Sequence, residues 1–273
     1  MRDLLVHCPD ALPSPALRYA AGLARLLDTP LSGLKVCEPF IPLEATALPA
    51  ASGMVAAWAQ DCLSKARDDA PAFARWAAQA GLTHARWLVA QGALPEIVAQ
   101  LANWHDVLVV ERNDHQNWGT VNALGQLLLS AGLPLLVLPE QHAAPASLQR
   151  VVVAWNGAPE STRALHVALP LLRRASTVLL LRGQRHAPFS PAGIQPAFDP
   201  ADYLAAHGIA VSHYLLDRPQ AQDGAELLEA ALDQQADLLV MGGYGRSRFA
   251  EWMLGGATRH VLRHSRLPVL LRH

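Results

Sequence analysis

The chain has 273 residues, 51% of them hydrophobic and 16% charged, with 22 basic side chains against 23 acidic. At about 150 residues per domain this length accommodates two domains, each with a core of its own, and the apolar content excludes a disordered chain. A formal net charge of −1 supplies no electrostatic reason to bind nucleic acid or an anionic membrane surface.

The first residues, MRDLLVHCPD, run directly into a strand-like segment without the apolar core and cleavage site of a signal peptide. No apolar stretch reaches the ~20 residues that span a bilayer. Cys8, Cys37 and Cys62 are odd in number and lack metal-ligand spacing. They read as three buried or incidental thiols in a reducing, cytoplasmic compartment. His7 beside Cys8 makes no nucleophile–base pair, because adjacent strand residues face opposite ways. A Pro- and Ala-rich stretch at 38–53 follows the second strand, and a similar one occurs at 183–200. Long loops there carry binding residues in some folds and are inert in others.

Further along, HDVLVVERND (105–114) matches ADLLVMGGYG (236–245), GLPLLVLPE (132–140) matches RLPVLLRH (266–273), and DLLVHCPD (3–10) can be laid on RVVVAWNG (150–157). The two halves share one plan with loops of different length. The joint falls in EQHAAPASLQ, 140–149, a polar stretch suited to a linker. The expected domains are therefore 1–139 and 150–273.

In the second half, strands are expected near 150–155, 177–182, 210–216, 237–241 and 267–271. Between them Ala164, Leu165, Ala168, Leu169 and Leu172, and again Leu227, Leu228, Ala231 and Leu232, recur at helical spacing. Pro170 predicts a kink in the first of these helices. Apolar strands alternating with amphipathic helices indicate a parallel sheet covered on both faces. The fold class is α/β, doubly wound, once in each half.

The most informative segment is MGGYGRSRFAEWMLGGATRHVL, 241–262. Gly242 and Gly245 are two residues apart; nine more lead to Gly255, followed by Gly256. Bare backbone amides at a helix start, aided by the helix dipole, make an anion site. A P-loop is excluded because no GxxxxGK occurs. The dinucleotide fingerprint is excluded because Arg248 stands where its third glycine belongs. The first strand of the same half ends at Trp155-Asn156-Gly157. If the first and fourth strands flank the reversal of strand order, Asn156 and the glycine loop face one crevice.

The Gly-x-x-Gly, nine residues, Gly pattern after a fourth strand resembles that of the ATP-binding universal stress proteins. VVVAWNGAPESTRAL resembles that family's first strand and turn, and GGYGRSR with LGGATRHVL resembles its tandem subfamily. The resemblance is specific over 150–273 and rests mainly on strand order over 1–139. It implies a Rossmann-like five-stranded parallel sheet in each domain, adenine nucleotide binding (ATP or another, with Mg²⁺ supplied by the nucleotide) and a role in stress survival. It places the amides around Gly242, Gly245, Gly255 and Gly256 on phosphates and ribose, Asn156 on the nucleoside, and Ala154 and Met241 beside the adenine. Arg246 is a candidate phosphate donor. Gly256 departs from the family, which has Ser or Thr there; Thr258 is the nearest hydroxyl.

In the first half Glu111-Arg112-Asn113-Asp114 replaces Gly242-Gly243-Tyr244-Gly245, bringing carboxylates to the phosphate position. One nucleotide site per chain, or none, is expected. With Trp118 laid on Trp252, Val121 and Asn122 stand for Gly255 and Gly256. The apolar fifth strands would make poor open edges, and the resemblance implies that they pair across a pseudo-twofold axis. The chain would then imitate a dimer of single domains, with further homodimerisation left open. Nothing at defined spacing marks a catalytic group. His260 and His264 have metal spacing without a third ligand. Adenylate chemistry is weakened by the absence of HxGH and SGGxDS motifs. A nucleotide-independent interaction protein with an architectural glycine loop is the alternative.

Overall fold

The computed structural model describes residues 1, 3–9, 12–38, 51–183, 198–216, 224–244 and 256–273, without the side chains of 51–56. They divide into two compact units, Met1–Val109 with Ser130–Leu133, and Val110–Leu129 with Pro134–His273.

In the first unit the strands β1 (Leu4–His7), β2 (Leu31–Cys37), β3 (Ala85–Gln91) and β4 (Val107–Glu111, whose last two residues belong to the second unit) lie in the order β3-β2-β1-β4. Every pairing among them is parallel. β1 has a neighbour on each side and all its residues are buried, the pattern of a strand covered on both faces. Helix α1 (Pro15–Leu27) starts where Ser14 accepts a hydrogen bond from Leu17 N, with Pro15 opening the first turn, and ends at Asp28 in the left-handed region. Helices α2 (Ala51–Asp68) and α3 (Ala70–Gln79) lead into β3, and α4 (Leu94–Leu101) into β4. Phe73 of α3 packs on Trp87 of β3 at 5.1 Å between ring centroids, and Trp87 Nε1 donates to Ala66 O of α2 at 2.7 Å.

The cysteines differ from expectation. Cys37, the last residue of β2, is disulfide-bonded to Cys62 of α2, with Cα atoms 6.1 Å apart. Among the three, Cys8 alone is a free thiol, buried, and burial pushes its pKa up to about 12. Spacing along the chain hid the pair, because α2 folds back over the end of β2 and brings together residues 25 apart in sequence.

The second unit opens with the end of β4 and adds α5 (Val121–Ser130), β5 (Leu135–Leu138), β6 (Arg150–Trp155), α6 (Pro159–Leu172), β7 (Thr177–Gly183), α7 (Pro200–Ala206), β8 (Ser212–Leu216), α8 (Gly224–Asp233), β9 (Leu238–Gly242), α9 (Gly256–His264) and β10 (Val269–Arg272). Its strands run β5-β10-β9-β6-β7-β8. All pairs from β10 to β8 are parallel, while β5 pairs antiparallel with β10 through Val137↔Val269 and Leu135↔Leu271. The two fifth strands therefore cover each other, and β5 is buried throughout. The architecture is α/β, Rossmann-like, with a mostly parallel sheet and helices on both faces. Strand bounds follow the hydropathy pattern closely. The last strand starts two residues later than expected, at Val269, because Pro268 has no N–H to give to a ladder. Helix α6 continues two residues past Pro170.

The shared plan of the halves reappears as one hydrogen-bond device. Asp106, just before β4, accepts from Asp3 N at 3.2 Å, while its own N–H donates to Asp3 O at 3.0 Å. Asp237, just before β9, accepts from Arg150 N at 2.7 Å and donates to Arg150 O at 2.8 Å. Each pair pins the start of a fourth strand to the start of a first. Among the described residues no helix is long and apolar enough to cross a membrane.

Candidate functional site

In the second unit β6 and β9 are adjacent and parallel, with Ala154 level with Met241. From β6 the chain proceeds outward through β7 and β8, whereas β9 leads to β10 on the opposite side. The strand order thus reverses between β6 and β9, and the crevice at their carboxyl ends is where open α/β sheets take ligands. Two helices begin there. α6 starts at Ala158, which is extended and offers no side-chain cap. α9 starts at Gly256 and is tied to the end of β9 by Tyr244 N, which donates to Thr258 Oγ1 at 3.2 Å. The positive end of a helix dipole and its first-turn amides favour an anion.

The expected site residues separate into three sets. Ala154, Met241 and Thr258 are buried, and Asn156 is exposed immediately after β6. Asn156 Oδ1 accepts from Ala158 N at 3.1 Å, so its acceptor shapes the entry to α6 while its NH₂ is the group left for a ligand. Gly242 ends β9 against the start of α6: a Cβ on it would lie 2.5 Å from Ser161 N and 2.7 Å from Glu160 C. Its lack of a side chain is demanded by backbone packing at the crevice. Gly256 is the reverse case, since a Cβ there would meet none of the described residues within 4 Å. Thr258 Oγ1 serves Tyr244 N as acceptor. Gly245, Arg246 and Gly255 lie outside the described residues, as do Glu251 and Trp252.

The corresponding place in the first half of the sequence is filled by the chain itself. Asn113 N donates to Gly119 O at 3.0 Å, and a Cβ on Gly119 would lie 2.7 Å from Asn113 N. Glu111 Oε1 accepts from Gln141 N at 2.8 Å. Thr120 Oγ1 accepts from Ala123 N at 3.2 Å and so caps α5. α5 thus begins with a side chain already on its amides. Arg112 is also engaged: its Nη1 donates to Leu262 O at 2.9 Å and to Arg263 O, closing the C-terminus of α9.

Three features were not anticipated. Tyr244 has φ +53° and a buried hydroxyl without a hydrogen-bond partner among the described residues; burial raises its pKa, against the pull of Arg259. Arg182, at the end of β7, holds Asp199 through two hydrogen bonds of 3.0 and 2.5 Å and lies 5.7 Å from the Trp155 ring centroid. This guanidinium holds the Asp199 carboxyl below its ordinary pKa. Glu160, in the first turn of α6, is buried with Oε2 unpartnered among the described residues. Periodicity could have flagged Arg182 as a charge ending an apolar strand; nothing in the sequence announces that Glu160 is buried.

Residues 147–273 match the model of the universal stress protein family. These residues form a universal stress protein domain. They include the whole β6/β9 crevice and both helix starts. A universal stress protein from Archaeoglobus fulgidus DSM 4304 superposes with a TM-score of 0.69 at 15% identity, over 99% of this chain and 95% of its own. A putative universal stress protein from Pseudomonas aeruginosa UCBPP-PA14 does so with a TM-score of 0.59 at 17% identity, over 99% and 92%. At such identities the likeness is one of fold, and it extends over the N-terminal half as well. The cytoplasmic domain of a prokaryotic cation chloride cotransporter also superposes, with a TM-score of 0.50 at 12% identity over 99% and 94%. The fold alone therefore does not specify function. No curated protein sequence matches the chain.

Proposed function

We propose that the C-terminal universal stress protein domain binds ATP or another adenine nucleotide at the carboxyl ends of β6 and β9, as a cytoplasmic sensor or regulator of stress responses. The observation that carries this reading is the strand-order reversal between β6 and β9 in the family-matched segment, with α6 starting after β6 and α9 tied to the end of β9. In this reading Gly242, Gly245, Gly255 and Gly256 give backbone access to phosphate and ribose. Arg246 and Thr258 stand near the phosphates, Asn156 offers its amide to the nucleoside, and Ala154 and Met241 flank the adenine. Hydrolysis is slow or absent. The domains are 1–139 and 150–273 with a linker at 140–149, and the antiparallel β5–β10 pair supports their acting as an intramolecular pseudo-dimer.

A second reading has a specific observation behind it. Gly242 is required by its contact with α6 whether or not a ligand comes, and Gly256 lacks the family's hydroxyl. A nucleotide-independent interaction protein would need the same glycine at 242. Thermal unfolding with and without Mg-ATP separates the two, using wild type and Gly245→Glu. Binding predicts stabilisation of wild type by about 2.7 kcal/mol at a hundredfold excess over Kd, and none in the variant. Equal curves with and without nucleotide in wild type would favour the second reading.

A further inference from the structure

The nucleotide reading gives Tyr244 no role, yet the fold holds this residue under strain. Tyr244 leaves β9 at φ +53°, a conformation that a bulky side chain adopts only when its surroundings impose it. It is 7% exposed, and its hydroxyl has no hydrogen-bond partner among the described residues, a second cost at the same place. The ring is seated on α5, a helix from the first half of the sequence. A Cβ on Gly125 of α5 would lie 2.3 Å from the Tyr244 hydroxyl oxygen, 2.9 Å from Cζ and 3.2 Å from Cε2. The ring therefore ends in a notch that exists because position 125 carries no side chain. Beside it, a Cβ on Gly243 would lie 2.4 Å from Leu128 Cδ2, one turn further along α5. Gly125, Leu128 and Tyr244 all belong to the second unit.

Glycine weakens a helix interior where Ala would strengthen it, so Gly125 has its justification in the ring that it admits. The contact is one half of a reciprocal pattern. Arg112, aligned with Gly243, donates to Leu262 O and Arg263 O of α9, so the exit from each fourth strand rests on the last helix of the other half. Only one exit is strained: no residue from Glu111 to Asn122 has a positive φ. Tyr244 N also donates to Thr258 Oγ1 at 3.2 Å, so the seat on α5 and the tie to α9 meet in a single residue. We infer that Tyr244 is a latch: seated in the Gly125 notch it fixes the direction in which the chain leaves β9, and withdrawn it releases that exit, so that α5 of the first half regulates the fourth-strand end of the second. The latch stands on packing alone; its bearing on ligand affinity rests on the nucleotide reading above. An exit fixed before the ligand arrives spares binding the cost of ordering it, so the seated state is the one that binds.

The test is a double-mutant cycle in the full chain, with wild type, Gly125→Ala, Tyr244→Gly and both changes together. Denaturant midpoint, absorbance titration of the phenol and calorimetry with Mg-ATP are the readouts. Glycine at 244 accepts the positive φ and empties the notch. Gly125→Ala is expected to lower the midpoint in wild type and to raise it in the Tyr244→Gly background. Burial holds the Tyr244 phenol above the ordinary tyrosine range, against the pull of Arg259; in Gly125→Ala it should titrate closer to that range. Mg-ATP affinity should fall in Gly125→Ala by on the order of tenfold. Midpoint shifts of the same sign in both backgrounds, or a phenol unmoved by Gly125→Ala, would overturn the latch. Unchanged affinity in Gly125→Ala would overturn its regulatory part. Should Gly125→Ala fail to fold, Tyr244→Phe decides: a seat that needs the ring keeps or raises the midpoint, and a fall as large as that of Tyr244→Gly overturns the inference. Absence of wild-type binding defeats the nucleotide reading, and the midpoints and the phenol then judge the latch by themselves.

Discussion

Gly242 and Gly256 stand in one family motif yet answer to different forces. Gly242 is hemmed in by the backbone of Glu160 and Ser161, atoms that cannot turn aside as a side-chain end can. Gly242→Ala is expected to cost about 1–3 kcal/mol in denaturant unfolding, whereas Gly256→Ser, with none of the described residues within 4 Å of its Cβ position, leaves stability within about 0.5 kcal/mol. Equal effects would show that the contact at the start of α6 does not govern position 242. His7, also at a strand end, gives a pH signature. Burial, with Lys35 nearby, lowers its pKa from 6.5 to about 3. The folded chain keeps His7 neutral while the unfolded chain protonates it below pH 6.5, so the unfolded state binds more protons. Stability contributed above pH 6.5 is lost as pH falls from 6.5 toward 3, with a slope of up to about 1.4 kcal/mol per pH unit from this group. His7→Gln should flatten that part of the stability profile; an unchanged slope would exclude His7 as its source.

At the scale of elements, the strands of the second half were legible to within two residues because each is an apolar run between polar turns. β10 departs from the pattern only where Pro268 withholds a donor. The adjacency of the first and fourth strands was legible in kind: the glycine spacing and the first-strand ending at Asn156 pointed to the carboxyl ends of β6 and β9, which are neighbours. What could not be read were contacts between residues distant in sequence. Arg112 closes the last turn of α9, 150 residues away, and Gly242 of β9 lies against the backbone of Glu160. The Cys37–Cys62 bond belongs with these, and it makes α2 dependent on redox state. Reduction should lower stability by about 2–4 kcal/mol. Cys62→Ser should show the same loss and no further response to dithiothreitol, while Cys8 stays unalkylated in the native chain. Unfolding curves indifferent to reductant would show that α2 is held without the disulfide.

For the whole molecule, one plan has been used twice and then made unequal. The same Asp-to-backbone clasp starts the fourth strand of each half, and the fifth strands pair with each other. Past the fourth strands the halves diverge. In the first, Thr120 and the Asn113–Gly119 contact occupy the start of α5 with the chain's own groups. In the second, α9 is described from Gly256, and the end of β9 is tied to it by Tyr244 N, which donates to Thr258 Oγ1. The central claim is that this asymmetry leaves a single nucleotide site, in the later domain. Isothermal titration of the full chain with Mg-ATP measures it most directly. The account predicts one nucleotide per chain, with binding lost in Gly245→Glu; two per chain, or binding that survives that substitution, would contradict it.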